Sequence, residues 1–400
     1  MNIVKTILDT MKKNGMLIAL IGVIVLFQVL LAATGRGSLL NPANVSNIIS
    51  QNSYVVILAT GMLLCILTGG NIDLSVGAIV CVIGAIAGTL IVDMGVNIYV
   101  GMAVCLVAGV AIGAWQGFWI AYVGIPPFIN TLAGFLYWRG FAHLILNGLT
   151  ISPFPDNYLK YFTSFLPTSK EVLLSPEEAE FVKMVTIAVG AIICLLFVAY
   201  LIFDRKTKTK KGYDVDSWMA IGAKIAIIGG GVMYASWLLA NHKGIPVVLI
   251  LLAVIVLSYS YFTTKMVPGR HFYALGGNEK ATRLSGIDTK KIMFFAYTNM
   301  GFLSAVAGLV VAGRFNSANP AAGNLYELDA IGACFIGGAS AYGGTGTVGG
   351  AVIGAMFMGV LNNGMSYLGL DANWQKTVKG LVVLAAVVFD VISKKDKKVT

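Results

Sequence analysis

Long apolar stretches alternate with short polar connections along the whole chain of 400 residues. An apolar stretch of about 20 residues crosses the roughly 30 Å of bilayer hydrocarbon as a helix, and the chain holds about twelve stretches near that length. The pattern predicts an all-α, polytopic transmembrane helical bundle of about 10 to 12 spans, two or three of them broken or partly inserted, in a single domain over residues 1–400. The predicted spans lie near residues 16–34, 50–68, 74–92, 97–123, 127–146, 182–203, 217–240, 245–263, 292–313, 328–340, 347–368 and 374–393.

Composition excludes a soluble globular protein, because 57% of the residues are hydrophobic, 12% are charged and the mean hydropathy is +0.82. The 28 basic residues outnumber the 18 acidic ones, but they cluster between apolar stretches, as cations that set membrane topology do. We therefore predict contact with membrane lipid and no nucleic-acid partner. The first apolar run, Met16 to Thr34, is longer than a signal-peptide core and is followed by no small-residue cleavage site, so we expect it to remain as a span.

Charge also predicts the orientation of the chain. With the N-terminus in the cytoplasm, the main clusters of cations fall on the cytoplasmic side, as the positive-inside rule requires. These clusters are the N-terminal lysines, the run at 205–211, the loop at 264–291 and the lysines of the C-terminal tail. We therefore expect both termini in the cytoplasm, a cytoplasmic loop at 264–291 and an external loop at 147–181.

The sequence lacks motifs for catalysis or metal binding. The Gly-rich run GGTGTVGG at 343–350 has no lysine with which to hold nucleotide phosphates, so we expect no ATP hydrolysis by this chain. The three histidines have no second ligand at helical spacing, and the five cysteines lie singly inside apolar stretches. We predict no catalytic residue, no metal and no cofactor bound by this chain.

Polar residues within the apolar stretches are the better candidates for function, because an unpaired polar group in hydrocarbon costs several kcal/mol. Two glycines at 69 and 70 precede Asn71, Asp73 and Ser75. This break is either a discontinuous helix lining a polar pathway or a cytoplasmic turn in which Asp73 or Ser75 caps the next helix. Further candidates for a polar lumen, or for hydrogen bonds between helices, are Asn130, Thr131, Asn362 and Asn363.

Glycine spacing predicts close helix packing, since glycines four residues apart let helix backbones approach each other in lipid. The Gly-rich segments 68–88 and 336–359 also resemble each other, each with an apolar span, a polar break and a restart at Val-Gly. They form either a weak internal repeat around a transport path or a chance similarity of low-complexity sequence. The predicted packing seams are Gly109, Gly113 and Gly117, Gly84 with Gly88, and Gly350 with Gly354.

A polar, cation-rich segment, HFYALGGNEKATRLSGID at 271–288, interrupts the apolar sequence. Its second half predicts a short helix with a small apolar face formed by Ala281 and Leu284. Two helical turns are not stable alone, so the segment is either a surface helix on lipid headgroups or an element that docks a cytoplasmic partner. The helix signals are Asn278 as N-cap, Glu279 in the first turn, Arg283 late and Gly286 as the stop.

Several motifs together resemble the membrane subunit of bacterial ABC importers for monosaccharides. They include GNIDLSVG at 70–77, IPPFINTLAGFLYWRG at 125–140 and YALGGNEKATRLSGI at 273–287, in the same order over most of the chain. The length, the extra spans near 217–263 and the 147–181 loop resemble the multiple-monosaccharide and xylose permeases more than the shorter ribose type. Thr282 stands where the family usually has a second alanine.

The resemblance implies a permease in the bacterial inner membrane that carries xylose-, galactose-, glucose- or arabinose-like sugars. It implies a second permease copy, an ATPase subunit that binds ATP and Mg, and a periplasmic sugar-binding protein as partners. In the family the segment at 273–287 is the coupling helix that docks into the ATPase. Carried onto this sequence, the coupling residues are Gly276, Gly277, Asn278, Glu279, Ala281, Arg283, Leu284 and Gly286.

The competing hypothesis is a secondary transporter driven by protons or sodium. It requires a carboxylate buried at mid-membrane, and its candidates are Asp73, Glu327 and Asp329. The positions of the apolar stretches place all three near the membrane surfaces. Arg314, Glu327 and Asp329 flank an outer loop, for which we expect a solvated or partner-facing role rather than burial. This location disfavours ion coupling at the level of sequence.

Overall fold

The computed structural model describes residues 15–167, 175–213, 215 and 217–395, which form an almost entirely helical bundle. Short π-helical turns extend two helices and join two others. The only strands in this part of the chain are β1 (Phe165–Leu166) and β2 (Ile245–Pro246), which pair antiparallel. The helices are α1 (Gly15–Ala33), α2 (Pro42–Leu67), α3 (Val76–Ala87, continued over Gly88–Asp93), α4 (Ile98–Phe118, continued over Trp119–Val123), α5 (Pro127–Leu146), α6 (Asp156–Thr163), α7 (Pro176–Lys210), α8 (Trp218–Lys224, joined by Ile225–Gly229 to α9), α9 (Gly230–Ala240), α10 (Val247–Lys265), α11 (Val267–Gly277), α12 (Glu279–Leu284), α13 (Thr289–Phe315), α14 (Tyr326–Ile336), α15 (Val348–Tyr367) and α16 (Ala372–Lys395).

The predicted polytopic bundle is confirmed. Within the described residues, nine helical stretches are long and apolar enough to cross a membrane. The other predicted spans, near 127–146, 328–340 and 374–393, correspond to α5, α14 and α16. The stretch at 328–340 is too short to cross the membrane, as expected for two or three of the twelve, because α14 has only 11 residues and rises about 16 Å, roughly half the bilayer core.

Helix α2 is the centre of the bundle. Every residue from Asn52 to Leu67 is buried, because α2 is packed against α10, α13, α14 and α15. A helix that is apolar all round is stable only when protein surrounds it. The elements of the candidate site are built around this helix.

The predicted glycine seam of α4 packs against α13. A Cβ on Gly113 would lie 2.5 Å from the carbonyl oxygen of Tyr297, and one on Gly109 would lie 2.7 Å from that of Gly301. Gly117 faces Phe294 in the same way. The two backbones therefore touch along three helical turns, as the spacing predicted. Gly84 makes no such contact, and a Cβ there would meet none of the described residues within 4 Å.

The two ends of the bundle differ in structure. At one end, called the α6 end, residues 147–166 pack on the core, with the Tyr158 hydroxyl donating to the Leu309 carbonyl at 2.8 Å. Part of the predicted external loop 147–181, residues 168–174, lies outside the described residues. From β2 at the α6 end, α10 crosses the bundle to α11 and α12, which define the opposite, α12 end.

Helix α11 was missed at the level of sequence, where its residues form part of a polar island. Gly269, Phe272 and Leu275, three residues apart, form its buried face. Gly276 then touches the backbone of the α2 end, since a Cβ there would lie 1.9 Å from the Leu67 carbonyl oxygen. The loop 264–291 is thus tightly packed helix as far as residue 277.

We predict that Gly113→Ala lowers the thermal stability of the purified protein, because its methyl group would press into the backbone of α13. Gly84→Ala is the matched control, with the same change in a helix where the space is open. There we expect an unchanged or slightly higher melting temperature, since alanine favours helix by up to about 1 kcal/mol over glycine. Equal melting temperatures for the two variants would contradict the close packing of α4 on α13 at Gly113.

We also predict that single cysteines at Leu149 and Leu284 react with an impermeant maleimide from opposite sides of the membrane. Both side chains are exposed, by 67% and 88%, and they lie at opposite ends of the bundle. The unmodified chain should label weakly, because Cys65, Cys81, Cys105 and Cys334 are buried and the half-buried Cys194 lies within the apolar part of α7. Labelling of both positions from the same side would contradict the placement of Leu149 and Leu284 at opposite ends of the bundle.

Candidate functional site

Helix α3 begins inside the bundle rather than at its end. The break after α2 folds back, so that the Asp73 amide lies 3.4 Å from the Met62 sulfur, five residues before the end of α2. At 1.5 Å per residue the start of α3 is therefore about 7 Å inside the α12 end. Asp73 is 1% exposed, so its carboxylate is enclosed by protein close to the α12 end.

Helix α14 begins deeper still. Its first residue, Tyr326, stacks on Tyr54 with ring centroids 3.7 Å apart, and Tyr54 lies halfway along α2. Residues 316–325, called the re-entrant segment, reach this depth from the α6 end without forming a helix. The segment passes Gly88, Cys81 and Gly77 of α3 in turn, at its own residues Ala318, Pro320 and Gly323.

The N-termini of α3 and α14 meet where the re-entrant segment ends. A Cβ on Gly77 would lie 2.1 Å from the Gly323 carbonyl oxygen and 2.7 Å from Oε2 of Glu327. Helix N-termini carry partial positive charge, and Asp73, Glu327 and Asp329 place carboxylates beside them. Glu327 is 6% exposed and Asp329 is fully buried. The prediction of a solvated location for these two residues is wrong, since the outer loop folds back into the bundle.

Asp73 is the first residue of a hydrogen-bond network at the start of α3. Its Oδ1 accepts hydrogen bonds from the Ser75 amide at 2.9 Å and the Ser75 hydroxyl at 2.6 Å. The Gln116 amide donates to the Ser75 hydroxyl at 2.8 Å, and the Asn130 amide donates to the Gln116 carbonyl at 3.4 Å. Ser75 does not cap α3 through its side chain. Gln116 was missed because a single glutamine in an apolar helix has no distinctive neighbours in the sequence.

The other predicted residues of the 70–77 break and α5 are satisfied locally. The Asn71 amide group donates to the Thr68 hydroxyl at 3.2 Å. The Thr131 hydroxyl donates to the Pro127 carbonyl of its own helix at 2.9 Å. Neither residue bonds to the network around Asp73, although Thr131 is fully buried.

Asp329 has a complete set of partners. Lys379 Nζ lies 3.0 Å from Oδ1 and 3.1 Å from Oδ2, the Tyr54 hydroxyl donates to Oδ2 at 2.6 Å, and the Asn362 amide donates to Oδ1 at 3.3 Å. A buried carboxylate is tolerated in an apolar interior when its charge is paired and its lone pairs are used. Lys379 and Tyr54 were missed, although a lysine inside the apolar run 374–393 is a signal of function in a membrane segment.

Asn363 belongs to a different place. It exchanges hydrogen bonds with Asn44 at 3.0 and 3.1 Å, and its amide also donates to Gln51 at 3.5 Å. This ladder joins α15 to α2. Asn362 thus bonds to Asp329 of the charged cluster, whereas the adjacent Asn363 joins α15 to α2.

The Gly-rich breaks of the two similar segments pack directly against each other at the α12 end. A Cβ on Gly70 would lie 2.0 Å from the Ala341 carbonyl oxygen, and one on Gly343 would lie 2.5 Å from the Gly69 nitrogen. All three glycines have positive φ angles, which glycine adopts without strain. The Gly344 amide donates to the Leu67 carbonyl at 3.1 Å.

Helix α12 presents its apolar residues to the outside. Asn278 is the N-cap, with its side chain accepting from the Ala281 amide at 3.0 Å, and Gly286 ends the helix at φ +83°, as the sequence predicted. Thr282 faces inward and is 5% exposed, whereas Leu284 is 88% exposed. The role of these residues in docking stays a prediction at this point.

Known proteins resemble this chain over most of its length. The sequence profile of the family described as branched-chain amino acid transport system, permease component, matches residues 44–387. The chain is 36% identical over 382 residues to the xylose transport system permease protein of Escherichia coli K12, which covers 96% of this chain and 93% of that protein. It is 36% identical over 380 residues to the same-named protein of Haemophilus influenzae, covering 95% and 96%. It is 34% identical over 352 residues to the ribose import permease protein of Escherichia coli K12, covering 87% and 85%. No solved structure matches the chain.

The matched residues include α3 and α14, which are the two helices that begin inside the bundle, together with the re-entrant segment and α12. The resemblance to permease subunits that the sequence motifs indicated is therefore confirmed. The chain belongs to the family of membrane permease components described for the branched-chain amino acid transport system.

Proposed function

We propose that this chain is the permease subunit of an ATP-driven importer that carries monosaccharides such as xylose across the bacterial inner membrane. The observation that carries the proposal is the exposed apolar face of α12, in a chain whose relatives are named for xylose and ribose transport. In a working importer this face docks into a separate ATPase subunit. ATP and Mg bind to that subunit and not to this chain.

The packing behind α12 gives a route for coupling. α11 carries α12, and its Gly276 lies against the backbones of Leu67 and Gly344, where the two Gly-rich breaks meet. A movement of α12 therefore acts on the connections from which α3 and α15 start. Coupling then arises because the ATPase and the sugar-loaded binding protein each bind one state of the bundle more tightly than the other.

The proposal includes the remaining partners and the orientation. Two copies of the permease work with two ATPase subunits, and a periplasmic binding protein delivers the sugar at the α6 end. The α12 end and both termini are cytoplasmic, which agrees with the cations of the 205–211 and 264–291 loops. The external loop 147–181 supplies part of the surface for the binding protein.

The position of Glu327 and Asp329 near Tyr54, halfway along α2, removes the argument by which the sequence disfavoured ion coupling through these two carboxylates. The family decides against ion coupling instead, since the chain belongs to permease components and its relatives are named as permeases of transport systems. Asp329 is also paired with Lys379, so its charge is balanced within the protein.

We predict that Ala281→Arg abolishes co-purification of the ATPase subunit and sugar uptake. Ala281 is exposed, so the change leaves the fold of the permease intact. In a docked interface the added charge would be buried without a partner. Such a charge costs several kcal/mol, enough to lower the docked population more than a hundredfold.

Lys280→Arg is the matched control, because it keeps the charge of an exposed neighbour on the same helix. We expect it to retain the ATPase and uptake at the level of the unmodified chain. If α12 lies on anionic lipid headgroups instead, the additional arginine of Ala281→Arg would be neutral or favourable. Full retention of the ATPase and normal uptake by Ala281→Arg would therefore reject docking.

A further inference from the structure

The re-entrant segment is polar and exposed at membrane depth. Ala321 and Asn324 are exposed, and their backbone is not helical, although the segment runs beside α3 to the level of Tyr54. Non-helical backbone at this depth does not face lipid, because lipid offers no hydrogen bonds. This face of the bundle therefore borders water or another protein.

Glu327 lies behind the exposed face with hydrogen-bonding capacity to spare. The residue is 6% exposed, and its Oε2 is buried without a hydrogen-bond partner among the described residues. This oxygen lies beside Gly77, at the place where α3 and the re-entrant segment touch backbone to backbone through Gly77 and Gly323. A buried polar atom without a partner is rare in proteins and costly unless something binds it.

Arg139 of α5 supplies the opposite charge beside the same segment. Its Nη1 donates to the carbonyl oxygens of Pro320 and Ala322, which holds the segment against α5. Its Nη2 is buried and has no partner among the described residues. Arg139 thus contacts the segment at Ala322, and Glu327 lies near Gly77 where it meets Gly323. Within the described chain the two residues form no ion pair with each other.

The contrast with Asp329 shows that this spare capacity is local. Asp329 lies two residues along α14 and is saturated by Lys379, Tyr54 and Asn362. Side chains two residues apart on a helix point to different faces. The carboxylate of Asp329 is therefore fully hydrogen-bonded within the protein. Near the re-entrant segment, Oε2 of Glu327 is an unused acceptor and Nη2 of Arg139 is an unused donor among the described residues.

We propose that Arg139 and Glu327 form a sugar-contacting point in the translocation path, where they bind the hydroxyl groups of a monosaccharide as it passes. This inference rests on the proposed function and assigns its substrate contact. A carboxylate accepts from sugar hydroxyls and a guanidinium donates to their oxygens, and charge-assisted bonds of this kind are the stronger ones. The close backbone contact of Gly77 with Gly323 covers this point, so the sugar reaches it when α3 and the re-entrant segment move apart.

The test uses the complete transporter, with permease, ATPase and binding protein, in proteoliposomes. Glu327→Gln keeps the shape of the side chain, and Arg139→Met removes the guanidinium. We expect each variant to lower uptake of xylose about tenfold or more, while ATP hydrolysis stimulated by the binding protein stays near that of the unmodified transporter. Asp93→Asn, which removes an exposed acidic charge at the far end of the π-helical turn after α3, is the control and should transport normally.

Uptake of xylose and ribose by both variants at the rate and KM of the unmodified transporter would overturn the inference. Loss of stimulated ATP hydrolysis together with uptake would also overturn it, since that result indicates a structural role. Absence of any monosaccharide uptake by the unmodified transporter would instead count against the proposed function.

Poor accumulation of the Glu327 or Arg139 variants in the membrane is covered by a second measurement. Ala321→Cys changes an exposed residue of the re-entrant segment, and a neutral maleimide attached there should block sugar uptake but not stimulated ATP hydrolysis. The unmodified chain treated in the same way is its control. Undiminished uptake after complete labelling would overturn the inference.

Discussion

A helix that breaks inside an apolar bundle must find protein partners for the backbone groups that the break exposes, because lipid cannot supply them. This chain meets that requirement by packing two Gly-rich breaks against each other. The contacts between Gly70 and Ala341 and between Gly69 and Gly343 are made by backbone alone, so a side chain at these glycines would separate them. The start of α3, the start of α15 and the position of α11 all depend on this contact.

The same arrangement explains why charges are tolerated at the centre of the protein. Two helices begin inside the bundle, and their N-termini offer partial positive charge to nearby carboxylates. Asp73 is satisfied by Ser75, and Asp329 by Lys379 and Tyr54. These two clusters hold α3, α4, α14 and α16 in register. Glu327 and Arg139 are different, because each keeps an unused buried atom next to the re-entrant segment.

Docking and transport are thus assigned to separate parts of the chain that share one mechanical connection. α12 is exposed and contributes little to the core, while α11 behind it packs on α10 at Gly269 and on α2 at Gly276. Movement of α12 is transmitted through Gly276 to the Gly-rich breaks that precede α3 and α15. A small interface at one end of the bundle can therefore bias the arrangement of groups in its centre.

Most of the helices, the seam at Gly109, Gly113 and Gly117, the caps of α12 and the family could be predicted from the sequence, because these depend on local spacing and residue type. The polar residues that meet could be found only from the packed structure. Hydropathy assigns each residue a depth on the assumption of unbroken spans, and this assumption placed Glu327 and Asp329 at the surface. Their true depth is set by the descent of residues 316–325 along α3, and the partner of Asp329 is a lysine 50 residues away. Such contacts between distant residues follow from how the breaks pack, which no local pattern encodes.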